Sequence, residues 1–381
     1  MKSTDRTDLL IFTDWYLPGY KAGGPVVSCA NLVRALSERM RIAVVCGDRD
    51  YCEEQPYPNV KTNVWTRREH ARVCYLSPEQ RSYRRIAELI AESDPRTVYI
   101  NGMFSKVFSL FPLLAVRRAQ SRVILAPRGM LAPGALGLKS FKKRAFLTLA
   151  KGLGLYRGIC FHATHHHEAD HIRRVIGPKV QIQILPNLPS LPEAPVSRKR
   201  EKERGNLRVL TVARIAREKN ILFIAERLAE MPEDVSVHWV HVGPVYDSAY
   251  AEKCKSVRLP GNIAAEWRGA LPPDDIQKCY AETDLFFLPT LGENYGHAIA
   301  ESLLRGVPAL ISDATPHRNL AAKNAGADLP IDVPKAYTDF LVRIARMSER
   351  EYRASFGNLA ADTRAALDIA STLRAYQKLF G

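Results

Sequence analysis

The amino-acid sequence predicts an α/β protein built from two doubly wound parallel sheets. Three observations support this prediction: short apolar runs without alternation, amphipathic segments between these runs, and one break in the rhythm near the middle of the chain. Apolar runs of this kind are typical of strands that helices cover on both faces. The 381 residues suffice for two domains of ordinary size.

The N-terminal half is expected to form the first sheet. A helix is predicted over residues 25–40, behind a loop rich in glycine and proline. Buried strands are predicted at residues 9–13, 41–46, 97–100, 122–126 and 159–163. We place the N-terminal domain at residues 1–190.

The break falls at residues 188–205, where a proline-rich stretch is followed by a dense run of charges. This composition predicts a solvated linker, which we place at residues 191–206. The run RKREKER mixes both signs of charge, so it is a poor candidate for a nucleic-acid patch.

The C-terminal half restarts the alternation, and its domain is placed at residues 207–360. Strands are predicted at residues 207–213, 235–242, 285–288 and 308–311, and helices at 221–230, 274–282 and 297–305. The tail, residues 349–380, is predicted to be helical and amphipathic. Ligands of doubly wound sheets bind at the carboxyl ends of the strands, so the loops there are the candidate sites.

Composition excludes several classes of protein. Hydrophobic residues make up 46% of the chain and charged residues 25%, which excludes wholesale disorder. No stretch approaches the roughly 20 apolar residues that span a bilayer, and the first residues lack the apolar core of a secretory signal, so we expect a cytoplasmic protein. The seven cysteines include no CxxC pair, so neither a zinc site nor a disulfide framework is predicted.

The formal net charge of +15 predicts an anionic partner. Nucleic acid, an acidic membrane surface and phosphorylated substrates all remain open on composition alone.

The sharpest motif is LFFLPTLGENYGHAIAESLLRGVP, which predicts a buried strand, a loop and a helix. Glu301 lies in the helix and could accept hydrogen bonds from both hydroxyls of a ribose, while Glu293 in the loop would face the reacting centre. The dipole and backbone N–H groups at the helix start would bind a phosphate. The residues at this start are Asn294, Tyr295, Gly296 and His297. The alternative is an ordinary helix with solvated acids.

Two other loops carry candidate ligands. In VLTVARIAREKN, Arg214 ends a predicted strand and Lys219 opens the next helix, and two such cations suit a diphosphate, although basic loop residues are also commonly solvated. In PGYKAGGP, Gly23 and Gly24 would let the backbone approach a ligand, or form a plain tight turn. This is not the GxGxxG fingerprint, so a nicotinamide enzyme is disfavoured.

Together these motifs resemble those of the family 4 retaining glycosyltransferases, which have the GT-B fold. The resemblance covers essentially the whole chain. The residues that carry it are Gly23, Gly24, Arg214, Lys219 and the E-x7-E pair Glu293 and Glu301. It implies two Rossmann-like domains facing across a cleft, with a final helix, residues 361–381, crossing back to the N-terminal domain.

The resemblance also implies a role for each residue. The donor would be a nucleotide-diphosphate sugar held mainly by the C-terminal domain, with Glu293 facing the sugar and Glu301 binding the ribose. Arg214 and Lys219 would neutralise the diphosphate. The resemblance implies no metal or other cofactor.

The N-terminal half departs from the family at one position. Many members carry a histidine after the fourth N-terminal strand, near the transferred sugar, whereas this chain has Asn101 in YINGMFS. Asparagine can hydrogen-bond a sugar hydroxyl but cannot act as a base near pH 7. Arg128, at the end of the next strand, is a candidate for binding an acceptor phosphate.

The stretch FHATHHHEADH raises the question of a metal. Its histidines are His162, His165, His166, His167 and His171. The last two would share a helix face at a spacing found in metal sites, but no carboxylate or thiol stands at a matching position. A polar helix start with incidental histidines is the preferred interpretation.

Residues 139–151, KSFKKRAFLTLAK, form a basic amphipathic segment. Apolar residues recur at four-residue spacing from Phe141, and Lys142, Lys143 and Arg144 lie between them. The pattern predicts either a packed surface helix or contact with anionic lipid headgroups. Lipid contact would suit an acceptor on a polyprenyl diphosphate anchor.

The sequence therefore predicts a retaining, metal-independent glycosyltransferase. It would move a sugar from a nucleotide-diphosphate sugar to a glycan or a polyprenyl-diphosphate-linked acceptor in cell-surface polysaccharide biosynthesis. It would act in the cytoplasm, peripherally on the inner face of the plasma membrane. A sugar-nucleotide epimerase is an alternative within the same fold. A nucleic-acid-binding protein is suggested only by the charge, and a non-catalytic nucleotide-sugar binder is disfavoured by the presence of both Glu293 and Glu301.

Overall fold

The computed structural model describes residues 6–118, 120–137, 140–191 and 200–381. The chain divides into two units: Met1–Leu188 with Ile369–Gly381, and Pro189–Asp368. In the described part of the chain, the N-terminal unit contains one eight-stranded sheet and the C-terminal unit one six-stranded sheet. The prediction of two parallel-sheet α/β units is confirmed.

The strands are β1 Leu9–Thr13, β2 Ile42–Gly47, β3 Trp65–Arg67, β4 Arg72–Leu76, β5 Thr97–Asn101, β6 Arg122–Ala126, β7 Cys160–Ala163, β8 Gln181–Ile184, β9 Asn206–Val212, β10 Ser236–Val242, β11 Ile263–Trp267, β12 Leu285–Leu288, β13 Ala309–Ser312 and β14 Gly326–Leu329.

The helices are α1 Gly24–Leu36, α2 Tyr83–Ser93, α3 Phe111–Ala115, α4 Pro133–Gly137, α5 Ser140–Gly152, α6 His166–Ile176, α7 Ile221–Ala229, α8 Ser248–Lys255, α9 Pro273–Ala281, α10 His297–Leu304, α11 Pro334–Ala345, α12 Glu349–Phe356, α13 Leu359–Ala366 and α14 Ile369–Phe380.

The N-terminal sheet has the order β3-β4-β2-β1-β5-β6-β7-β8 and is parallel except for the antiparallel edge pair β3–β4. Successive residues of β1 enter different cores, because Leu10 and Phe12 belong to one buried cluster and Leu9 and Ile11 to another. Both faces of the sheet are therefore covered, which explains why β1 is an unbroken apolar run.

The C-terminal sheet has the order β11-β10-β9-β12-β13-β14, and its strand pairs are parallel. β9 and β12 lie side by side in this order. The loops that follow these two strands therefore emerge next to each other at the carboxyl end of the sheet.

Helix α14 follows the C-terminal unit along the chain but packs in the N-terminal unit. Its Tyr376 and Phe380 are buried in the cluster that contains Leu9 and Ile11. Thr97 Oγ1 donates a hydrogen bond to the carbonyl of Phe380 at 2.9 Å. The end of α14 is thus fixed at the start of β5.

The tail, predicted to be helical and amphipathic over residues 349–380, forms the three helices α12, α13 and α14. Two other features differ from the sequence predictions. Strands β3, β4, β8, β11 and β14 were not predicted. The linker prediction is wrong at Lys202, which is 3% exposed and whose Nζ donates to the carbonyl of Ala345 at 2.9 Å. The last carbonyls of α11 attract this ammonium. Residues 192–199 of the predicted linker lie outside the described residues.

Candidate active site

The loop between β12 and α10 carries the E-x7-E pair, and Gly296 sets its geometry. Gly296 immediately precedes α10 and has a φ of 77°, in the left-handed region that favours glycine. A Cβ there would lie 3.0 Å from Cδ1 of Ile299 and 3.4 Å from the ring of His317. Within the described structure, no side chain caps α10, so the N–H groups of its first turn can be offered to an anion.

Glu293 and Lys219 form an ion pair. Lys219 Nζ donates a hydrogen bond to Oε1 of Glu293, and each side chain is 14% exposed. The backbone N–H of Glu293 donates to the carbonyl of Ala314 at 3.3 Å. Since Lys219 follows β9 and Glu293 follows β12, the fold brings an ammonium and a carboxylate together at adjacent strand ends.

Backbone contacts fix these two loops to each other. The carbonyl of Glu218 accepts a hydrogen bond from the N–H of Leu291 at 2.8 Å and another from Oγ1 of Thr290 at 2.9 Å. Ser312 Oγ, from β13, donates to the carbonyl of Thr290. These hydrogen bonds hold in place the backbone of the two loops that carry the ion pair.

Arg214 lies at the start of the same loop as Lys219. Its Nε and one terminal nitrogen donate to Oε1 of Glu218 at 3.0 and 2.7 Å, and its guanidinium lies 5.0 Å from the centre of the Tyr246 ring. Burial alone would raise the pKa of Glu218, but hydrogen bonds from Arg214 and the backbone hold it below its ordinary value. The paired carboxylate orients the guanidinium.

Glu301 lies in α10, one turn past the residues predicted to bind phosphate. Burial raises its pKa, although Arg305 and a hydrogen bond with Ser190 act in the opposite direction. Burial also raises the pKa of Tyr295 to about 12, with a contribution from Glu301. A partly buried carboxylate gains from hydrogen-bond donors, such as the hydroxyls of a ribose.

His317 belongs to this site and was not found from the sequence. Its Nε2 is 2.8 Å from the carbonyl oxygen of Tyr295, and its ring lies against Gly296. Burial lowers the pKa of His317, so the neutral ring donates to this carbonyl and supports the loop. Its position shortly after β13, at the same sheet end, is the signal that could have indicated it.

Gly23 and Gly24 belong to the N-terminal unit, after β1. Gly23 has a φ of 69° and precedes α1, and Gly24 is the first residue of that helix. A Cβ at Gly23 would meet no atom within 4 Å, so open space adjoins it. The conformation requires glycine, and the open space leaves room for a ligand.

Asn101 and Arg128 contact each other at the ends of β5 and β6. Arg128 Nε donates to Oδ1 of Asn101 at 2.6 Å, one terminal nitrogen donates to Oδ1 of Asn187, and the other donates to the hydroxyl of Tyr99 at 2.7 Å. These bonds use three of the five N–H groups of the guanidinium. The predicted phosphate role for Arg128 remains a prediction.

Asp14 lies at the same sheet end and was also missed. It directly follows β1, and its Oδ1 accepts a hydrogen bond from Ser105 Oγ at 2.7 Å. Burial raises its pKa, with opposing effects from Ser105 and Arg81. A carboxylate directly after the first strand is a signal that could have been read from the sequence.

The histidine stretch forms the end of β7 and the start of α6. His165 caps α6 by accepting a hydrogen bond from the N–H of Glu168 at 3.2 Å, which agrees with a polar helix start. His162 is buried, with Nδ1 2.7 Å from the hydroxyl of Tyr99. Among the described residues, no group of three potential metal ligands is present.

The basic segment forms α5, except for Lys139, which lies outside the described residues. Lys142 and Arg144 are exposed. Lys143 is half-buried, donates to the carbonyl of Ala135 and lies 5.4 Å from the centre of the Phe104 ring. The three cations thus have different surroundings.

None of the helices in the described ranges is long and apolar enough to cross a membrane. Two doubly wound parallel sheets in one chain, with a short final helix returned to the first unit, define the GT-B class of enzymes.

Comparisons with known proteins agree with this class. The model of the glycosyl transferase 4-like domain matches residues 23–188, and that of the glycosyl transferases group 1 matches residues 194–361. The chain belongs to the group 1 glycosyltransferases and is family 4-like in its N-terminal half. None of the curated proteins compared with it matches.

Several solved structures share the fold. Sucrose-phosphate synthase from Thermosynechococcus elongatus is 14% identical with a TM-score of 0.71, and the match covers 98% of each chain. Anabaena HepE in complex with UDP is 16% identical with a TM-score of 0.67, covering 97% of this chain and 98% of that one. Trehalose-6-phosphate synthase OtsA is 10% identical with a TM-score of 0.65, covering 98% of each chain.

Proposed function

We propose that this protein transfers a sugar, with retention of anomeric configuration, from a nucleotide-diphosphate sugar to a hydroxyl group. The observation that carries the proposal is the ion pair of Lys219 with Glu293. The two residues lie in the loops that follow the adjacent strands β9 and β12, near Arg214 and the start of α10. The leaving group is a diphosphate, so catalysis must stabilise negative charge. A cation beside a carboxylate can serve both the leaving group and the sugar.

Each residue has a distinct task in this reaction. The bond between the anomeric carbon and the diphosphate oxygen breaks, and the acceptor oxygen bonds to that carbon while its proton leaves with the diphosphate. Lys219, Arg214 and the N–H groups at the start of α10 balance the charge that develops on the diphosphate. Glu293 positions the sugar and stabilises positive charge at the anomeric carbon. Glu301 binds the ribose.

The proposal includes independence from divalent metal, because the residues around the expected diphosphate supply positive charge themselves. UDP is the first nucleotide to test, since the similar HepE and trehalose-6-phosphate synthase structures contain UDP or a UDP-sugar. The proposed acceptor is a glycan or a polyprenyl-diphosphate-linked sugar of cell-surface polysaccharide biosynthesis. Asn101 and Arg128 would contact that acceptor or the transferred sugar. The protein would act in the cytoplasm, at the inner face of the plasma membrane.

A thermal-shift screen of UDP-, GDP- and dTDP-sugars tests donor binding. A ligand present at 100 times its Kd should stabilise the protein by about 2.7 kcal/mol. Lys219→Met should remove the stabilisation, while Lys255→Met, which changes an exposed cation of α8, should keep it. NMR of the transfer product then determines the anomeric configuration of the transferred sugar. Binding of none of these nucleotides, or an inverted product, would contradict the proposal.

A further inference from the structure

The outer face of α5 exposes large apolar side chains to water. Phe141 is 83% exposed and Leu149 is 64% exposed, the two highest values for large apolar side chains in the described part of the chain. Leu153, one residue past the end of the helix, is 56% exposed. Phe141 and Leu149 are eight positions apart in the helix, so the apolar stripe is about 12 Å long.

This apolar stripe lies beside exposed positive charge. Lys142 and Arg144 are exposed on α5, on either side of the line from Phe141 to Leu149. Lys143 is on the inner side of the helix, where it donates to the carbonyl of Ala135. Lys142 and Arg144 are therefore the exposed cations next to Phe141, and Lys143 holds α5 against its own unit. Lys151, exposed in the last turn of α5, donates to the carbonyl of Val175.

The surrounding sequence has an extreme charge asymmetry. Residues 95–167 contain 12 lysines and arginines and no aspartate or glutamate. This one segment of the N-terminal unit carries most of the formal net charge of +15. No carboxylate of this segment can neutralise the cations of α5, and the local field attracts an anionic surface.

We propose that the outer face of α5 docks the N-terminal unit on an anionic phospholipid bilayer. Phe141, Leu149 and Leu153 enter the boundary between headgroups and acyl chains, and Lys142 and Arg144 bind lipid phosphates. Exposed apolar side chains beside cations fit this partner, since a nucleic acid offers the apolar stripe no matching surface. A second copy of the chain would bring like charges together.

The evidence for docking is the exposure and the charge of α5. Only the purpose of docking, which is to bring a lipid-linked acceptor to the enzyme, rests on the proposed function. Each cation near an anionic surface strengthens binding about fivefold, and salt at 0.1 M screens charges beyond about 10 Å. With only Lys142 and Arg144 next to Phe141 and a short apolar stripe, the binding is reversible and depends on salt.

Co-sedimentation of the full-length protein with phosphatidylglycerol-containing vesicles tests the inference. We expect binding at low salt, loss of binding by about 0.5 M salt, and little binding to pure phosphatidylcholine. Phe141→Ser should weaken binding roughly tenfold or more, and Lys142→Gln with Arg144→Gln about 30-fold. The matched controls are Val64→Ser, an exposed apolar residue elsewhere in the N-terminal unit, and Lys143→Gln, and both should change binding less than twofold.

Three results would overturn the inference. They are no vesicle binding by the wild type, equal binding by Phe141→Ser and the wild type, and a wild-type dimer that Phe141→Ser dissociates in sedimentation velocity. The last would assign the face to a second copy of the chain. Thermal shifts with nucleotide sugars, measured on the same variants, report on the proposed function separately. Failure of docking with intact nucleotide binding, or the reverse, is therefore distinguishable.

Discussion

Lys219 Nζ donates a hydrogen bond to Oε1 of Glu293 across 74 positions of sequence. In this arrangement the ammonium that we assign to the diphosphate is paired with the carboxylate that we assign to the sugar. A bound diphosphate must therefore compete with Glu293 for Lys219. We therefore expect the ion pair to keep the ammonium in place and also to lower the affinity for a nucleotide without a sugar.

The first prediction concerns Glu293→Gln. Removing the negative charge releases Lys219 from its partner, so affinity for the nucleoside diphosphate should stay equal or rise by up to about tenfold, as expected for one charged hydrogen bond. Turnover should fall by at least about 100-fold, because the sugar loses its carboxylate. Calorimetry with the nucleoside diphosphate and steady-state kinetics measure the two effects. Glu218→Gln is a useful comparison, since it alters the carboxylate beside Arg214. Wild-type turnover in Glu293→Gln would remove Glu293 from the active site.

The second prediction separates stability from binding at Glu301. Its pKa is raised in the folded protein, so the ionised carboxylate destabilises the fold as the pH rises above the ordinary value of 4.5. Glu301→Gln should therefore unfold at a higher temperature than the wild type at pH 7, and this advantage should shrink toward pH 4.5. The same variant should bind the nucleotide sugar at least about tenfold more weakly, because a charged acceptor for the ribose is lost.

Thermal unfolding at several pH values and calorimetry at pH 7 measure both effects at Glu301. Glu252→Gln, an exposed residue of α8, is the control and should change neither. Unchanged affinity for the nucleotide in Glu301→Gln would contradict the ribose assignment.

Much of the fold could be predicted from the sequence because its central strands are buried on both faces. The predicted bounds of β1 and β6 agree with the structure, and the strand, loop and helix around Glu293 were also predicted correctly. The edge strand β8 was missed because its residues alternate between exposed and half-buried, which leaves too weak an apolar signal.

The remaining contacts depend on residues that are distant in sequence. Composition indicated a solvated Lys202, but the carbonyl that holds its ammonium belongs to Ala345, 143 positions away. Ser105 approaches Asp14 across 91 positions. The sequence predicted Lys219 and Glu293 as ligands of one donor, but only the parallel pairing of β9 with β12 places them in contact.

The third prediction is that transfer activity survives chelation. In the proposed reaction, Lys219, Arg214 and the start of α10 supply the positive charge that a divalent ion would otherwise bring to the diphosphate. We expect turnover in excess EDTA to stay within about twofold of its value with Mg²⁺, given that a metal-dependent step would lose several kcal/mol. The measurement is the initial rate in EDTA, followed by addition of Mg²⁺ or Mn²⁺. Loss of activity that either ion restores would mean that the diphosphate is bound differently.

The fourth prediction concerns the buried chain of hydrogen bonds at Arg128. Arg128 donates to the hydroxyl of Tyr99, so this hydroxyl must donate onward to Nδ1 of His162, whose Nε2–H then donates to the carbonyl of Leu185 at 2.9 Å. A second proton on His162 would point Nδ1–H at Tyr99 and bring a cation near Arg128. Burial is the main cause that lowers the pKa of His162 to about 4, and the positive charge of Arg128 is the second.

The free energy of unfolding should depend on pH because His162 is neutral in the folded protein. In the unfolded chain the imidazole titrates near 6.5, so the stabilisation is complete above about pH 6.5 and is lost as the pH falls toward 4, by roughly 3 kcal/mol in total. Denaturant unfolding of the wild type and of His162→Gln at pH 7, 6, 5 and 4 measures it, with the exposed His166→Gln as the control. The difference between the wild type and His162→Gln should shrink with falling pH, while His166→Gln should follow the wild type. A constant difference for His162→Gln would mean that His162 takes up a proton in the folded protein as readily as in the unfolded chain, with Nδ1–H donating to the hydroxyl of Tyr99.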